Sequence, residues 1–227
     1  MNIHGVFAPV PTSFDTMTGH VDVAAVARNI TRLLRAPLAG VLVLGSNGEA
    51  GLLDETEADA IVAAARAVVP ADRTLLVGTG RESTRGTIDA CARAARIGAD
   101  AVLVRAPSFF KSQMTHDALV VHYRAVADAS PVPVMLYNVP GMAGFSLTVP
   151  MVGALASHPK VIGIKETSND IERLGQFAAL AGDHFDVLVG WAPAAYAAAV
   201  VGARGAIIAV ANVLPEVSAR LWALSIA

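Results

Sequence analysis

The chain has 227 residues, of which 54% are hydrophobic and only 16% charged, with a formal net charge of -2. That length suffices for one large α/β domain or two small ones, and the sparse charge argues against a basic face able to hold a nucleic-acid backbone. The single cysteine, Cys91, has no partner for a disulfide or a metal site, which fits a reducing, cytoplasmic setting.

The N-terminal stretch MNIHGVFAPVPTSFD lacks a basic start and a long apolar core, so no export signal is read there. In chain order, short runs rich in Val, Ile and Leu occur at GVFAPV, GVLVLGS, TLLVGTG, AVLVRAP, VPVMLYNVP, VIGIKET, DVLVGW and GAIIAVAN. Segments of helical periodicity lie between them, such as VDVAAVARNITRLLRA, TEADAIVAAARAVV, TRGTIDACARAARIG and HDALVVHYRAVADA. Continuous apolar strands, each followed by a helix, predict a parallel sheet covered by helices. Eight such units in this length predict an α/β fold closed as a (β/α)8 TIM barrel rather than an open doubly wound sheet. No linker, low-complexity tract or charge block interrupts the pattern, so residues 1–227 read as a single barrel domain. The apolar stretch WAPAAYAAAVVGARGAIIAVANVLP is divided by Pro193, Arg204 and Gly205 into a helix and a strand, each too short to cross a bilayer. No membrane partner is expected.

In such a barrel, chemistry collects where the strands end. The sixth strand carries Lys165 inside VIGIKETS, and alternation places Val161, Gly163 and Lys165 on one face. An inward lysine is partly desolvated and supplies a neutral amine able to attack a ketone. The alternative is a lysine that reaches out of the strand end to pair with Glu166 or Asp170. One strand earlier, Tyr137 ends an apolar run in LYNVPG and is either a core aromatic or a phenol that passes protons above the lysine. After the second strand, GSNGE frames Ser46 and Asn47 between Gly45 and Gly48, a turn whose amides suit a small carboxylate and whose Ser46 hydroxyl can extend a relay from Tyr137. It has neither the Gly-Lys-Ser/Thr of a Walker loop nor the third glycine of a dinucleotide fingerprint. The six histidines are scattered without metal-ligand spacing, and neither Ser83 nor Ser108 sits in a nucleophile elbow.

GSNGE, YNVPGMAG, GIKET and GAIIAVANVLP, in this order, resemble the dihydrodipicolinate synthase and N-acetylneuraminate lyase family of class I, Schiff-base aldolases, from about Gly5 to Pro215. The resemblance implies a pyruvate-binding nucleophile at Lys165, a proton-relay tyrosine at Tyr137, and carboxylate-holding and relay positions at Ser46 and Asn47. It also implies pocket-lining positions at Gly190 and Ile207, small-molecule substrates without metal or organic cofactor, and a homodimer or homotetramer. Where synthases of the family read Tyr-Asn-Val-Pro-x-Arg, this chain has Met142 in the arginine position. Where they carry a relay tyrosine across a subunit interface, it has Phe109 and Phe110. The GSNGE form, the length of PSFFKSQMT and the ANVLP ending are more similar to the 4-hydroxy-2-oxoglutarate and sugar-acid aldolases, although these tend to keep a tyrosine where Phe110 stands; a dihydrodipicolinate synthase or a catalytically silent 2-oxo-acid-binding barrel are the alternatives. The family's C-terminal helices are expected to be missing, since only LPEVSARLWALSIA follows the eighth strand.

Overall fold

The computed structural model describes residues 1, 3–182 and 184–226. Eight parallel strands close into a barrel in sequence order: β1 (Gly5–Pro9), β2 (Gly40–Val43), β3 (Thr74–Gly78), β4 (Ala101–Arg105), β5 (Val134–Asn138), β6 (Val161–Glu166), β7 (Asp186–Val189) and β8 (Gly205–Ile207). β8 pairs back onto β1, so neither edge is left open. Among the described residues, no helix is long and apolar enough to cross a membrane.

Helices connect the strands: α1 (Val23–Leu33), α2 (Glu55–Val68), α3 (Thr84–Ile97), α4 (His116–Ala129), the single turn α5 (Pro140–Ala143), α6 (Val149–Ala156), α7 (Ile171–Ala178), α8 (Ala195–Val200) and α9 (Pro215–Ser225). Short polar residues start many of them. Asp54 and Glu57 form a reciprocal capping box on α2, while Asp22, Ser83, Thr115, Thr148 and Asp170 each accept an orphan amide of the first turn. Such caps contribute about 1 kcal/mol apiece.

Alternation along the strands sorts the apolar side chains into two layers. Phe7, Leu42, Leu76, Leu103, Met135 and Leu188 fill the barrel interior, while Val41, Leu75, Val102, Leu136 and Val187 pack outward under the helices. A filled interior leaves room for chemistry only at the barrel's ends.

Two strand expectations are corrected. The eighth strand stops at Ile207, and Ala209–Asn212 turn as a 3-10 helix whose Asn212 Nδ2 donates to the Pro9 carbonyl at 2.9 Å. In β6 the register against β5 slips, so that Val134 faces Val161 but Met135 faces Gly163. The bulge sends Val161 into the outer layer and Ile162 into the interior, so Val161 does not share a face with Lys165. Gly163 is needed because β7 runs so close that a Cβ there would collide with the Asp186 carbonyl.

Candidate active site

Tyr137 of β5 and Lys165 of β6 stand opposite one another in the strand register. Lys165 is 3% exposed, and its Nζ lies 4.5 Å from the centroid of the Tyr137 ring. The two carboxylates that offered it an outward partner are engaged elsewhere. Glu166 accepts from Asn138 Nδ2 at 2.6 Å, and Asp170 caps α7 and pairs with Arg173 at 3.4 Å. Burial without a counter-charge lowers Lys165 from the usual lysine range to about 7, so near neutral pH much of it is free amine.

The phenol of Tyr137 is 2.7 Å from the Ser46 hydroxyl, in the loop after β2. Burial raises the Tyr137 pKa, and the Ser46 hydrogen bond works against that rise by favouring the phenolate. A tyrosine kept neutral in this way suits proton transfer as a donor that can be reset.

The loop holding Ser46 departs from the sequence reading in how it turns. Its left-handed residues are Leu44 (φ 56°) and Glu49 (φ 55°) rather than the two glycines. Gly45 and Gly48 serve by being small: a Cβ at Gly45 would stand 2.9 Å from Leu42 Cδ2, and one at Gly48 would stand 3.1 Å from the Val10 carbonyl oxygen. The Gly48 and Glu49 amides close back onto the carbonyls of Gly45 and Ser46, both at 3.1 Å. Among the described residues, the Ser46 and Asn47 amides donate to no backbone carbonyl, which leaves them free for an anion.

A cavity of about 370 Å³ opens at this point, lined by Ser46, Asn47, Tyr137, Lys165, Gly190 and Ile207. Gly45 lines an adjoining cavity of about 300 Å³ that shares Ser46 and Tyr137. Gly190 makes space for the lysine, since a Cβ there would overlap Thr167 and stand 3.0 Å from Lys165 Cε. Met142 lines both cavities and is 65% exposed. Phe109 and Phe110 line neither; they pack edge to face at 5.0 Å on a loop whose Ser108 and Phe109 amides donate to Glu82, each at 2.9 Å. Among the described residues, no three metal-ligating side chains converge.

The sequence reading missed Thr167 and Trp191, which also line the lysine's cavity. Thr167 carried a usable signal, because it lies two residues beyond Lys165 on the same side of the chain. Also missed was the buried pair Asn138 and Glu166, for which a polar residue next to each of Tyr137 and Lys165 was the available signal.

The model of the Dihydrodipicolinate synthetase family matches residues 2–226. The chain belongs to this family. Among its relatives, the probable mitochondrial 4-hydroxy-2-oxoglutarate aldolase of Emericella nidulans is 40% identical, over 98% of this chain and 73% of the relative. The 4-hydroxy-tetrahydrodipicolinate synthase of Xanthomonas campestris pv. campestris is 37% identical, over 99% of this chain and 74% of the relative. Among solved structures, YagE of Escherichia coli K12, a family protein in complex with pyruvate, superposes with a TM-score of 0.91 at 34% identity, covering 96% of this chain and 74% of YagE. As a family member the chain is an enzyme, a lyase of the aldolase type. It spans about three quarters of the length of these relatives.

Proposed function

We propose that this family member is a pyruvate-dependent class I aldolase that cleaves or forms the carbon-carbon bond of a 2-oxo acid through an imine on Lys165. The observation that carries the reading is a buried amine with a pKa near 7, set beside a phenol that is itself bonded to a hydroxyl. In the cleavage direction Lys165 Nζ attacks the C2 carbonyl and water leaves, giving the imine. The C4 hydroxyl proton then passes through Tyr137 towards Ser46, the C3–C4 bond breaks, and its electrons enter the imine as an enamine while the aldehyde departs. Protonation of the enamine at C3 and addition of water return pyruvate and the free amine. The amides of Ser46 and Asn47 hold the substrate carboxylate, and Gly45, Gly190 and Ile207 shape the space around it.

Met142 favours a 2-oxo acid aldolase, of the 4-hydroxy-2-oxoglutarate or sugar-acid kind, over a 4-hydroxy-tetrahydrodipicolinate synthase. A thioether at that wall of the cavity offers no bidentate partner to a second carboxylate. The 40% identity to an aldolase of this kind supports the same choice. The test is incubation with pyruvate and borohydride, followed by peptide mass mapping. A reduced pyruvyl adduct on Lys165 alone is expected, and a folded protein unmodified at Lys165 would sink the reading.

A further inference from the structure

Behind Tyr137 and Lys165, on the other face of the same two strands, lie their chain neighbours Asn138 and Glu166, paired in register and 1% and 2% exposed. Their hydrogen bonds form a directed chain. The Leu147 amide donates to Asn138 Oδ1 at 2.8 Å, Asn138 Nδ2 donates to Glu166 Oε2 at 2.6 Å, and the Ser168 amide donates to Glu166 Oε1. Both ends of the chain are backbone N–H groups, which can only donate. The Leu147 amide therefore fixes which way the Asn138 side chain faces, and Glu166 must accept at both oxygens, as a carboxylate does.

Three stretches of chain that build the cavity meet at the pair, the first through the Asn138 side chain and the other two through the Asn138 and Glu166 backbone carbonyls. Leu147 closes the β5–α6 segment that carries Val139 and Met142. Thr167, on the far side of Lys165, donates its hydroxyl to the Asn138 carbonyl at 2.6 Å. The Gly190 amide at the end of β7 donates to the Glu166 carbonyl at 2.6 Å. Neither Asn138 nor Glu166 lines the cavity.

We propose that Asn138 and Glu166 are positioning residues whose one-way hydrogen-bond chain locks Tyr137 against Lys165 and anchors the cavity wall that carries Met142. The proposal rests on the imine reading of Lys165. It requires a defined polarity rather than mere polar filling, and that requirement can be inverted. Asn138→Asp sets two carboxylates against each other. Glu166→Gln sets an NH2 against one of two donors, and turning the Asn138 amide only moves the clash to Leu147. Combining Asn138→Asp with Glu166→Gln makes the polarity whole again. The introduced carboxylate accepts from Leu147 and from the introduced amide, whose own oxygen accepts from Ser168.

The test follows loss of the pyruvate methyl proton signal in deuterium oxide, which reads imine and enamine formation with pyruvate as the only probe. Borohydride trapping is run beside it. Each single variant is expected to lower the exchange rate at saturating pyruvate by about 10- to 100-fold, as small misplacements of reacting groups do. The double variant should recover at least about tenfold of that loss, a coupling that groups in contact within one hydrogen-bond network show and independent sites do not. Singles that exchange at the wild-type rate, or a double variant with the two losses simply multiplied, overturn the proposal while leaving wild-type exchange and trapping intact. Wild-type protein that neither exchanges nor traps pyruvate overturns the imine reading and this proposal with it. Should the single variants unfold, a folded and exchanging double variant supports the proposal, and an unfolded one overturns it.

Discussion

Lys165 Nζ sits 4.5 Å from the ring centroid of Tyr137, on a neighbouring strand at the same register, with no carboxylate among its described neighbours to hold it as an ammonium. Burial lowers its pKa to about 7, so the rate of imine formation with pyruvate is expected to rise with pH through that value and then level off. Timed borohydride quenching from about pH 5.5 to about pH 9 brackets the titration and checks this. A rate still climbing steeply at the alkaline end would mean that the amine is solvated as an ordinary lysine.

The same burial costs stability. The unfolded chain's lysine titrates near the ordinary value of 10.5 and the folded one near 7. Between these values the unfolded state binds more protons, so stability rises with pH across the window, by up to about 1.4 kcal/mol per unit from this group. Below about pH 7 the penalty is fully present. Lys165→Met, which cannot carry the charge, should therefore melt at a higher temperature than the parent at about pH 6 to 7, with the difference shrinking towards about pH 10. Calorimetry across that pH range measures it, and a pH-independent difference would contradict the assignment.

Tyr137→Phe keeps the nucleophile and removes the phenol that reaches Ser46 at 2.7 Å. Removing a general acid-base group commonly costs about 100- to 10,000-fold in rate. The variant should form the trapped pyruvate adduct slowly and lose most release of pyruvate from a working 2-oxo acid. Ser46→Ala should also lose turnover, because neither Phe109 nor Phe110 lines the cavity or carries a hydroxyl to replace it. Full turnover in Tyr137→Phe would reassign the phenol to packing.

Gly190→Ala adds a methyl group where Thr167 and Lys165 Cε already crowd the space. Overpacking of this kind costs about 1–3 kcal/mol in a well-packed site, and relief by shifting Lys165 should slow adduct formation by about tenfold or more. Timed quenching with borohydride reads the rate, and circular dichroism shows that the barrel persists. Adduct formation at the parental rate would place the lysine's working conformation away from Gly190.

Met142 has no cation of its own to offer a second carboxylate, which an arginine in its place would bind with about 1.5 to 3 kcal/mol. Aspartate semialdehyde is thus expected to be a poor acceptor for pyruvate, and Met142→Arg should improve it. A coupled condensation assay on both proteins decides the matter. Efficient condensation by the parent would favour the synthase alternative.

How much of this was legible in the sequence follows from which signals are local. The run of eight apolar segments separated by helical periodicity specified the barrel, because strand burial on both faces and the strand-helix alternation are written residue by residue. Lys165 and Tyr137 stood out because a cation and a phenol at the ends of apolar strands are chemically costly to bury. Tertiary structure decided what depends on neighbours remote in sequence. The bulge at Ile162 and Gly163 appears only in the pairing of β6 with β5, and the close approach of β7 is what requires glycine at position 163. The left-handed turn fell on Leu44 and Glu49, while crowding by Leu42 and the Val10 carbonyl is what reserves positions 45 and 48 for glycine. That Glu166 is not the partner of Lys165 was decided by Asn138 and Ser168, which occupy that carboxylate from β5 and the following loop. Hydrogen bonding between residues 28 apart in the chain leaves no periodic mark on it, so only the folded barrel could make that choice.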